Sequence, residues 1–333
     1  MFATLLGAYP PAPEPMADDD LVRGVVAELD AAGLEPLTDG RVRRRSALSD
    51  WPFDPDAVVA EWRFAAALTD RAVKQSLPGP YTIARDGLPG RRASGSRIER
   101  PQGPQGANDA AETPANAALA GERLREVVLA LAAAGCPMVE IEEPAAIRIG
   151  DDEAERRQFV DAHGRLTDGL ADLVHLSLAV TGGNADTAGP ATFFELPYSS
   201  YAFDLIAGPD NWRLIAEAPG DRGIVCGALD ASPGSSDGPE TLVWAAHYAA
   251  STGGRGLDRV GLANASSLGS LDRDVARRKV ALLARAAGLA AASSPDELAL
   301  GLDPRAVDIR SAALGRYEKR GDHGSSSRGE TGA

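Results

Sequence analysis

Short apolar runs alternate with longer amphipathic segments along most of the chain. The apolar runs are bounded by glycine, proline or polar turns, which is typical of buried strands. They predict eight strands, at residues 2–7, 34–37, 73–76, 137–141, 173–180, 192–196, 223–229 and 259–263. Apolar positions at helical spacing predict helices at residues 18–32, 54–69, 115–134, 151–171, 199–206, 240–250 and 272–287.

This alternation indicates how the predicted elements assemble. A chain of 333 residues in which most strands are followed by a helix favours an α/β fold, a single-domain (β/α)8 TIM barrel, over an open doubly wound sheet. We expect the barrel to span residues 1–318. Residues 86–114 are rich in Gly, Pro, Ser, Arg and Gln and predict a mobile loop, and residues 319–333 predict a disordered tail.

Composition and charge narrow the function classes. The formal net charge of -14 argues against a nucleic-acid partner, because a phosphate backbone attracts a basic surface. No apolar run of membrane-spanning length and no leader-like segment is apparent, so we expect no membrane association and a cytoplasmic location. The two cysteines, Cys136 and Cys226, cannot form a disulfide framework and suit a reducing compartment. The oligomeric state stays open.

The fourth predicted strand ends in three carboxylates, in the segment C-P-M-V-E-I-E-E-P from Cys136 to Pro144. Side chains alternate along a strand, so Glu140 and Glu142 share a face. Two acids directed together from a buried strand indicate a polar working site or a structural cluster paired with arginine. Six polar residues lie near the carboxyl ends of predicted strands and are expected around one mouth of the barrel: Asp39, Glu142, His175, Glu195, Asp230 and Asn264.

Several short motifs occur in this order along the chain: G-A-Y-P, T-D-G-R, L-P-G-P-Y-T, E-I-E-E-P, H-L-S and N-A-S-S-L-G. Together they resemble the motifs of the C-terminal catalytic barrel of cobalamin-independent methionine synthase, and more loosely those of the related uroporphyrinogen decarboxylase barrels. The corresponding family motifs are G-S-F-P, T-D-G-E, G-P-x-T, Q-I-D-E-P, H-x-C and N-P-D-C-G-L. The resemblance covers most of residues 2–289 and implies a divergent member of that family.

The resemblance implies a zinc site that this chain retains only in part. In the family, a His, a Glu and two Cys hold zinc, which binds homocysteine sulfur as a thiolate while a folate donates the methyl group. The His and Glu carry over to His175 and Glu195. The two thiolate positions carry over to Ser177 and to Ser266 or Ser267. We therefore expect weak or absent zinc binding, and a gain of affinity when the thiolates are restored.

The resemblance also implies which residues surround the substrate. We expect Asp39, Arg41, Glu142, Tyr198 and Asn264 to bind a small-molecule substrate, and Glu142 and Asp230 to carry out catalysis. Arg41 reverses the charge of the family's acidic residue after T-D-G. Arg41 could pair with Glu142, or it could bind an acidic group where homocysteine has its ammonium.

Three functions remain open on the sequence. The first is an enzyme that transfers a methyl or alkyl group from a folate-type donor to a thiol such as homocysteine, with altered substrate and a degenerate zinc site. The second is a zinc-free lyase or decarboxylase that acts on an acidic substrate. The third is a non-catalytic pseudoenzyme, because one barrel supports many chemistries.

Overall fold

The computed structural model describes residues 1–43, 53–86, 109–235 and 238–292. Most of the predicted loop at residues 86–114, the predicted tail at residues 319–333 and the domain boundary at residue 318 lie outside the described residues.

Seven strands form one parallel sheet. They are β1 (Phe2–Ala3), β2 (Gln75–Pro78), β3 (Met138–Glu142), β4 (His175–Val180), β5 (Ser200–Asp204), β6 (Gly223–Leu229) and β7 (Val260–Asn264). Their spatial order is β1, β7, β6, β5, β4, β3 and β2, and every neighbouring pair is parallel. Apart from the β1–β7 contact, each strand therefore lies beside the next strand in the chain, which is the order of a barrel.

Residues 35–37 close the sheet by joining its two edges. The N–H of Glu35 donates to the carbonyl of Ala3 beside β1, at 2.9 Å. Leu37 forms a parallel bridge with Val73, which lies two residues before β2. This segment takes the position of the eighth strand, so the predicted α/β TIM-barrel class is confirmed, with one strand reduced to a single bridging residue.

Nine α-helices lie within the described residues and cover the outside of the sheet. They are α1 (Asp18–Ala32), α2 (Pro55–Ala66), α3 (Pro80–Asp86), α4 (Asp109–Ala133), α5 (Glu153–Thr167), α6 (Pro190–Phe194), α7 (Trp212–Glu217), α8 (Pro239–Ser251) and α9 (Arg273–Ala291). None of them is both long and apolar enough to cross a membrane.

Local sequence signals explain several of the helix ends. The side chain of Asp54 accepts the N–H of Ala57 and caps α2, and the side chain of Asp272 caps α9 in the same way. Helix α1 begins with three aspartates and ends at Gly33, whose φ of 88° places it in the left-handed region.

The prediction for residues 192–206 is wrong. Residues 192–196 were expected to be a strand, but Pro190–Phe194 is a short helix that begins with a proline. The strand lies at Ser200–Asp204, where a helix was expected. Its alternation decides this assignment: Tyr201 and Phe203 pack outward against the aromatic rings of α6, and small side chains face the barrel interior.

The interior of the barrel is filled by small side chains. Inward positions on β4, β5 and β7 carry Ala179, Ala202 and Ala263, which pack with Val225 of β6 and with Leu6 in a separate apolar cluster. TIM barrels more often fill this space with bulky branched residues. The small residues leave room for polar side chains that enter from β2 and β3.

Candidate active site

Two segments that carry family-like motifs meet at the carboxyl end of the barrel. Arg41, in T-D-G-R, forms an ion pair with Glu142, in E-I-E-E-P, with 2.9 Å between Nη1 and Oε2. The neighbouring Glu143 is fully buried and accepts the N–H groups of Tyr81 and Thr82, in L-P-G-P-Y-T, at 2.9 and 2.8 Å. One pair of adjacent glutamates thus anchors both neighbouring loops.

The remaining loops at this end are linked by hydrogen bonds as well. The N–H of Tyr9, in G-A-Y-P, donates to the carbonyl of Gly40 at 2.9 Å. Asn264, in N-A-S-S-L-G, accepts the N–H of Leu6 at 3.0 Å and donates to its carbonyl at 2.6 Å. Five of the six motif segments are therefore interlocked around one mouth, as the resemblance implied.

Glu142 is a largely buried acid at this mouth. Its side chain is 13% exposed and ends β3. Burial raises the pKa of Glu142 above its ordinary value; the charge of Arg41 acts against this rise and the charge of Glu140 adds to it. One carboxylate oxygen, Oε1, is buried and makes no hydrogen bond of ordinary length and angle, although the backbone N–H of Gly7 lies near enough to the carboxylate to lower its pKa. That oxygen is available to accept a proton or a hydrogen bond from a bound molecule.

Asp39 presents a second unpartnered acceptor beside the same loop. Its Oδ1 accepts the N–H of Arg41 at 2.9 Å, while its buried Oδ2 has no partner. Arg41 itself has a φ of 54°, and it is the one non-glycine residue with positive φ in the described parts of the chain. Such a conformation costs a non-glycine residue energy and is concentrated at functional sites. The turn holds Arg41 where its guanidinium reaches Glu142.

A buried ion pair lies one layer below Glu142. Lys74 Nζ is 2.7 Å from Glu140 Oε2, and both side chains are completely buried. The hydroxyl of Ser76 donates to the other oxygen of Glu140 at 3.2 Å. Both inward-facing glutamates of β3 are therefore paired with a basic side chain. The sequence had offered pairing with arginine as one of two alternatives, and Glu142 is paired in this way.

His175 does not lie at this mouth, so its expected placement is wrong. It is the first residue of β4 and pairs in register with Met138, whereas Glu142 pairs with Ala179. Four residues of strand correspond to about 13 Å. His175 and Glu142 thus lie at opposite ends of the barrel.

The residues carried over for zinc do not fit the metal, because they lie at different levels of the barrel. Glu195 is an exposed residue at the end of α6, before β5 begins. Ser177 is buried in the interior, and its hydroxyl has no partner. Ser266 and Ser267 follow β7, and the hydroxyl of Ser267 accepts the N–H of Ala8 at 3.2 Å.

No substitute metal site is apparent either. Within the described ranges, no group of three or more His, Cys, Asp or Glu side chains is arranged to hold a metal ion. Burial raises the pKa of the Cys226 thiol to about 12 and that of Cys136 to about 11, so neither thiol is predisposed to form a thiolate. We therefore derive no catalytic step through zinc.

Two of the expected substrate-binding residues have structural roles. Tyr198 is completely buried before β5, and its hydroxyl lies 2.6 Å from Nδ1 of His163, whose Nε2 lies 2.9 Å from Glu143. Tyr198 therefore does not line the mouth. Asn264 does lie there, but its amide is used in joining the loops after β1 and β7.

Asp230 follows β6 at the carboxyl end, as expected. Its Oδ1 accepts the N–H of Ser232 at 2.7 Å, a contact that caps the following turn. Among the described residues, no hydrogen bond or ion pair joins Asp230 to Arg41 or Glu142.

Sequence reasoning missed Asp204 as an organiser of this end. Asp204 ends β5, is completely buried and accepts the N–H groups of Gly182, Ile206 and Ala207. The sequence signal for Asp204 was the alternation of Ser200, Ala202 and Asp204 along one face of a strand. The misplaced sixth strand hid this signal.

Comparisons with known proteins agree with the motif resemblance. No family model matches the chain. The 5-methyltetrahydropteroyltriglutamate–homocysteine methyltransferase of Rhodopseudomonas palustris is 33% identical over 112 residues, which are 32% of this chain and 13% of that protein. The match therefore spans only a small part of the curated relative's length.

Similar folds extend over nearly the whole chain. A B12-independent methionine synthase from Shewanella sp. W3-18-1, solved with selenomethionine, has a TM-score of 0.67 and 15% identity, covering 94% of this chain and 98% of that one. A Listeria monocytogenes protein assigned to the vitamin-B12-independent methionine synthases has a TM-score of 0.64 and 16% identity, covering 86% and 97%. The chain is thus similar in fold to B12-independent methionine synthases, and similar to a homocysteine methyltransferase over part of its sequence.

Proposed function

We propose that the protein is a divergent relative of cobalamin-independent methionine synthase that transfers a methyl group from a folate-type donor to a thiol. The observation that carries this proposal is the meeting of the T-D-G-R and E-I-E-E-P segments through the ion pair of Arg41 and Glu142. Both segments resemble methyltransferase motifs, and carboxyl strand ends are where barrel enzymes build their sites. The partial sequence match to a homocysteine methyltransferase supports the same reaction class.

The proposed acceptor is a thiol that carries an acidic group. Arg41 stands where the resemblance implies an acidic side chain for the homocysteine ammonium. A guanidinium at that position repels an ammonium and can form a bidentate contact with a carboxylate. The proposed acceptor carboxylate would share Arg41 with Glu142.

Glu142 is proposed as the base in this reaction. Its unpartnered Oε1 and raised pKa suit it to take the thiol proton. The thiolate sulfur then forms the new bond to the methyl carbon while the donor's nitrogen–methyl bond breaks. The bonding electron pair stays on the donor nitrogen, which takes up a proton from solvent.

A direct assay tests the acceptor class. The purified protein is incubated with 5-methyltetrahydrofolate and either homocysteine or mercaptosuccinate, and the S-methyl product is measured by mass spectrometry. We expect mercaptosuccinate to be preferred, and Arg41→Glu to reverse the preference by about tenfold to a hundredfold, as expected for a charge-assisted contact.

Two further variants make the assay specific. Glu142→Gln should lower the rate by about a hundredfold or more, because a positioned base typically contributes that much. Arg71→Glu, at an exposed arginine outside the mouth, should leave both rates unchanged. Methylation of neither thiol would refute the proposal, as would a preference that Arg41→Glu does not alter.

A zinc-free lyase or decarboxylase is the second candidate. It is favoured by the raised pKa of Glu142 next to a guanidinium, an arrangement that could bind an acidic substrate and exchange a proton with it. Substrate loss without any methyl donor, abolished by Glu142→Gln, would support this candidate over methyl transfer.

A further inference from the structure

The amino end of the barrel contains a cavity that the proposed reaction does not use. The inward positions of β5, β6 and β7 at this end are Ser200, Gly223 and Gly261. A Cβ on Gly261 would lie 2.4 Å from the ring of Phe2, and one on Gly223 would lie 2.9 Å from the Cβ of Ser200. Glycine is therefore required at both positions for close packing. Of these three residues, Ser200 and Gly223 line the cavity.

This cavity has a volume of about 460 Å³. Its wall is mostly apolar and includes Phe2, Pro36, Ala72, Met138 and Val225. The volume lies in the range of small-molecule sites, and a predominantly apolar wall with few polar groups is characteristic of such sites.

One polar pair marks the wall of this cavity. His175 Nε2 lies 2.8 Å from the hydroxyl of Ser200, which is itself almost completely buried. His175 as a residue remains exposed, yet partial burial of its ring lowers the pKa of the imidazole below its ordinary value. The ring is therefore neutral at neutral pH, and Nδ1 can donate or accept one hydrogen bond depending on the tautomer.

The charged residues around the cavity lie in solvent. Asp221, Asp258 and Arg259 belong to the lining but are exposed residues. They carry both signs of charge, and solvated side chains offer little to a buried ion. The interior therefore suits an uncharged molecule rather than an anion or a cation.

We propose that this amino-end cavity is a second binding site, for a small uncharged ring compound with one hydrogen-bonding group. Its apolar body would lie against Phe2, Met138 and Val225, and its polar group would meet His175. The site is independent of the carboxyl-end mouth, because the two lie about 13 Å apart along β4.

Calorimetric titration with three probes tests this site on the intact chain. Indole and phenol carry a ring and one polar group, and benzene carries the ring alone. We expect phenol and indole to bind at millimolar concentration or below. His175→Ala should weaken the binding of phenol by about fivefold to tenfold, which is the typical effect of one lost hydrogen bond. The affinity for benzene should stay unchanged.

Two more variants locate the site. Ala72→Trp should abolish binding of all three probes by filling the cavity. The substitution removes no side-chain hydrogen bond, because Ala72 forms its hydrogen bonds through backbone atoms. Glu142→Gln, at the opposite end, should leave binding unchanged. If Ala72→Trp fails to fold, the affinities of His175→Ala for phenol and benzene still test the site, because an exposed residue tolerates truncation.

Several results would overturn the proposal. These are absence of binding by every probe, equal affinity for phenol in wild type and His175→Ala, and loss of binding in Glu142→Gln. None of them depends on methyl transfer, so failure here is distinguishable from failure of the proposed function.

Discussion

The buried ion pair of Lys74 and Glu140 gives the sharpest prediction of stability. Both side chains are completely buried, at 2.7 Å between Nζ and Oε2. Lys74→Met removes one partner and leaves the Glu140 carboxylate in the barrel interior with only the hydroxyl of Ser76. Breaking a buried pair in this way costs about 3–5 kcal/mol. Glu140→Leu should cost a similar amount, because it leaves the Lys74 ammonium without its partner.

The double variant Lys74→Met with Glu140→Leu should recover most of this loss. Replacing a buried pair by apolar side chains of similar volume is often neutral or stabilising. Here the hydroxyl of Ser76 would lose its acceptor, at a cost of about 1–2 kcal/mol. We therefore expect the double variant to lie within about 2 kcal/mol of wild type and the coupling energy to be roughly 4 kcal/mol or more.

Urea unfolding followed by circular dichroism measures these differences. Arg71→Met is a matched control, because Arg71 forms an ion pair with Asp30 at the same 2.7 Å, but with side chains 40% and 38% exposed. That variant should lose less than about 1 kcal/mol. The reasoning is refuted if Lys74→Met costs no more than Arg71→Met, or if the two single losses simply add in the double variant.

Three further expectations concern the acid, the buried histidine and the metal. Because the folded-state pKa of Glu142 is raised, its contribution to stability is present below the ordinary pKa of 4.5 and is lost as the pH rises above that value. The unfolding free energy of wild type should therefore fall more than that of Glu142→Gln between pH 4.5 and neutrality. Parallel curves of unfolding free energy against pH would contradict this. Tyr198→Phe leaves a ring nitrogen of His163 buried without its partner and should cost about 1–3 kcal/mol in chemical unfolding, whereas an unchanged midpoint would contradict the structure. Elemental analysis should find far less than one equivalent of zinc in wild type, and a full equivalent would contradict the ligand geometry. The gain expected from the sequence for Ser177→Cys with Ser267→Cys should not appear, because Ser177 lies inside β4 and Ser267 follows β7.

Much of the barrel could be predicted from alternation alone. The predicted strand at residues 223–229 coincides with β6 (Gly223–Leu229), and β3 begins one residue later than expected and ends at Glu142. These strands have uninterrupted apolar runs between turn residues, so local pattern and tertiary environment agree.

The sixth predicted strand could not be located in this way, because two neighbouring aromatic runs, at residues 192–196 and 200–204, both have the composition of a strand. The run T-F-F-E-L has the composition of a strand, but a glycine and Pro190 before it start a helix. The true strand, Ser200–Asp204, carries small or polar residues on its inner face, since the barrel interior here is filled by small side chains. Side-chain size on the inner face depends on the other strands, which no single segment reveals.

The depth of a residue in the barrel is the property that motif resemblance described least well. Alternation correctly places His175 and Ser177 on the same inward face of β4, but it does not say which end of the strand either residue occupies. Depth follows from the register with neighbouring strands, and here Ser177 pairs with Glu140 while His175 pairs with Met138. The short segment H-L-S therefore agrees with the family pattern in letters and in order while its histidine lies at the amino end. A single histidine displaced along its strand is enough to separate a zinc-like motif from the mouth where the other five segments meet.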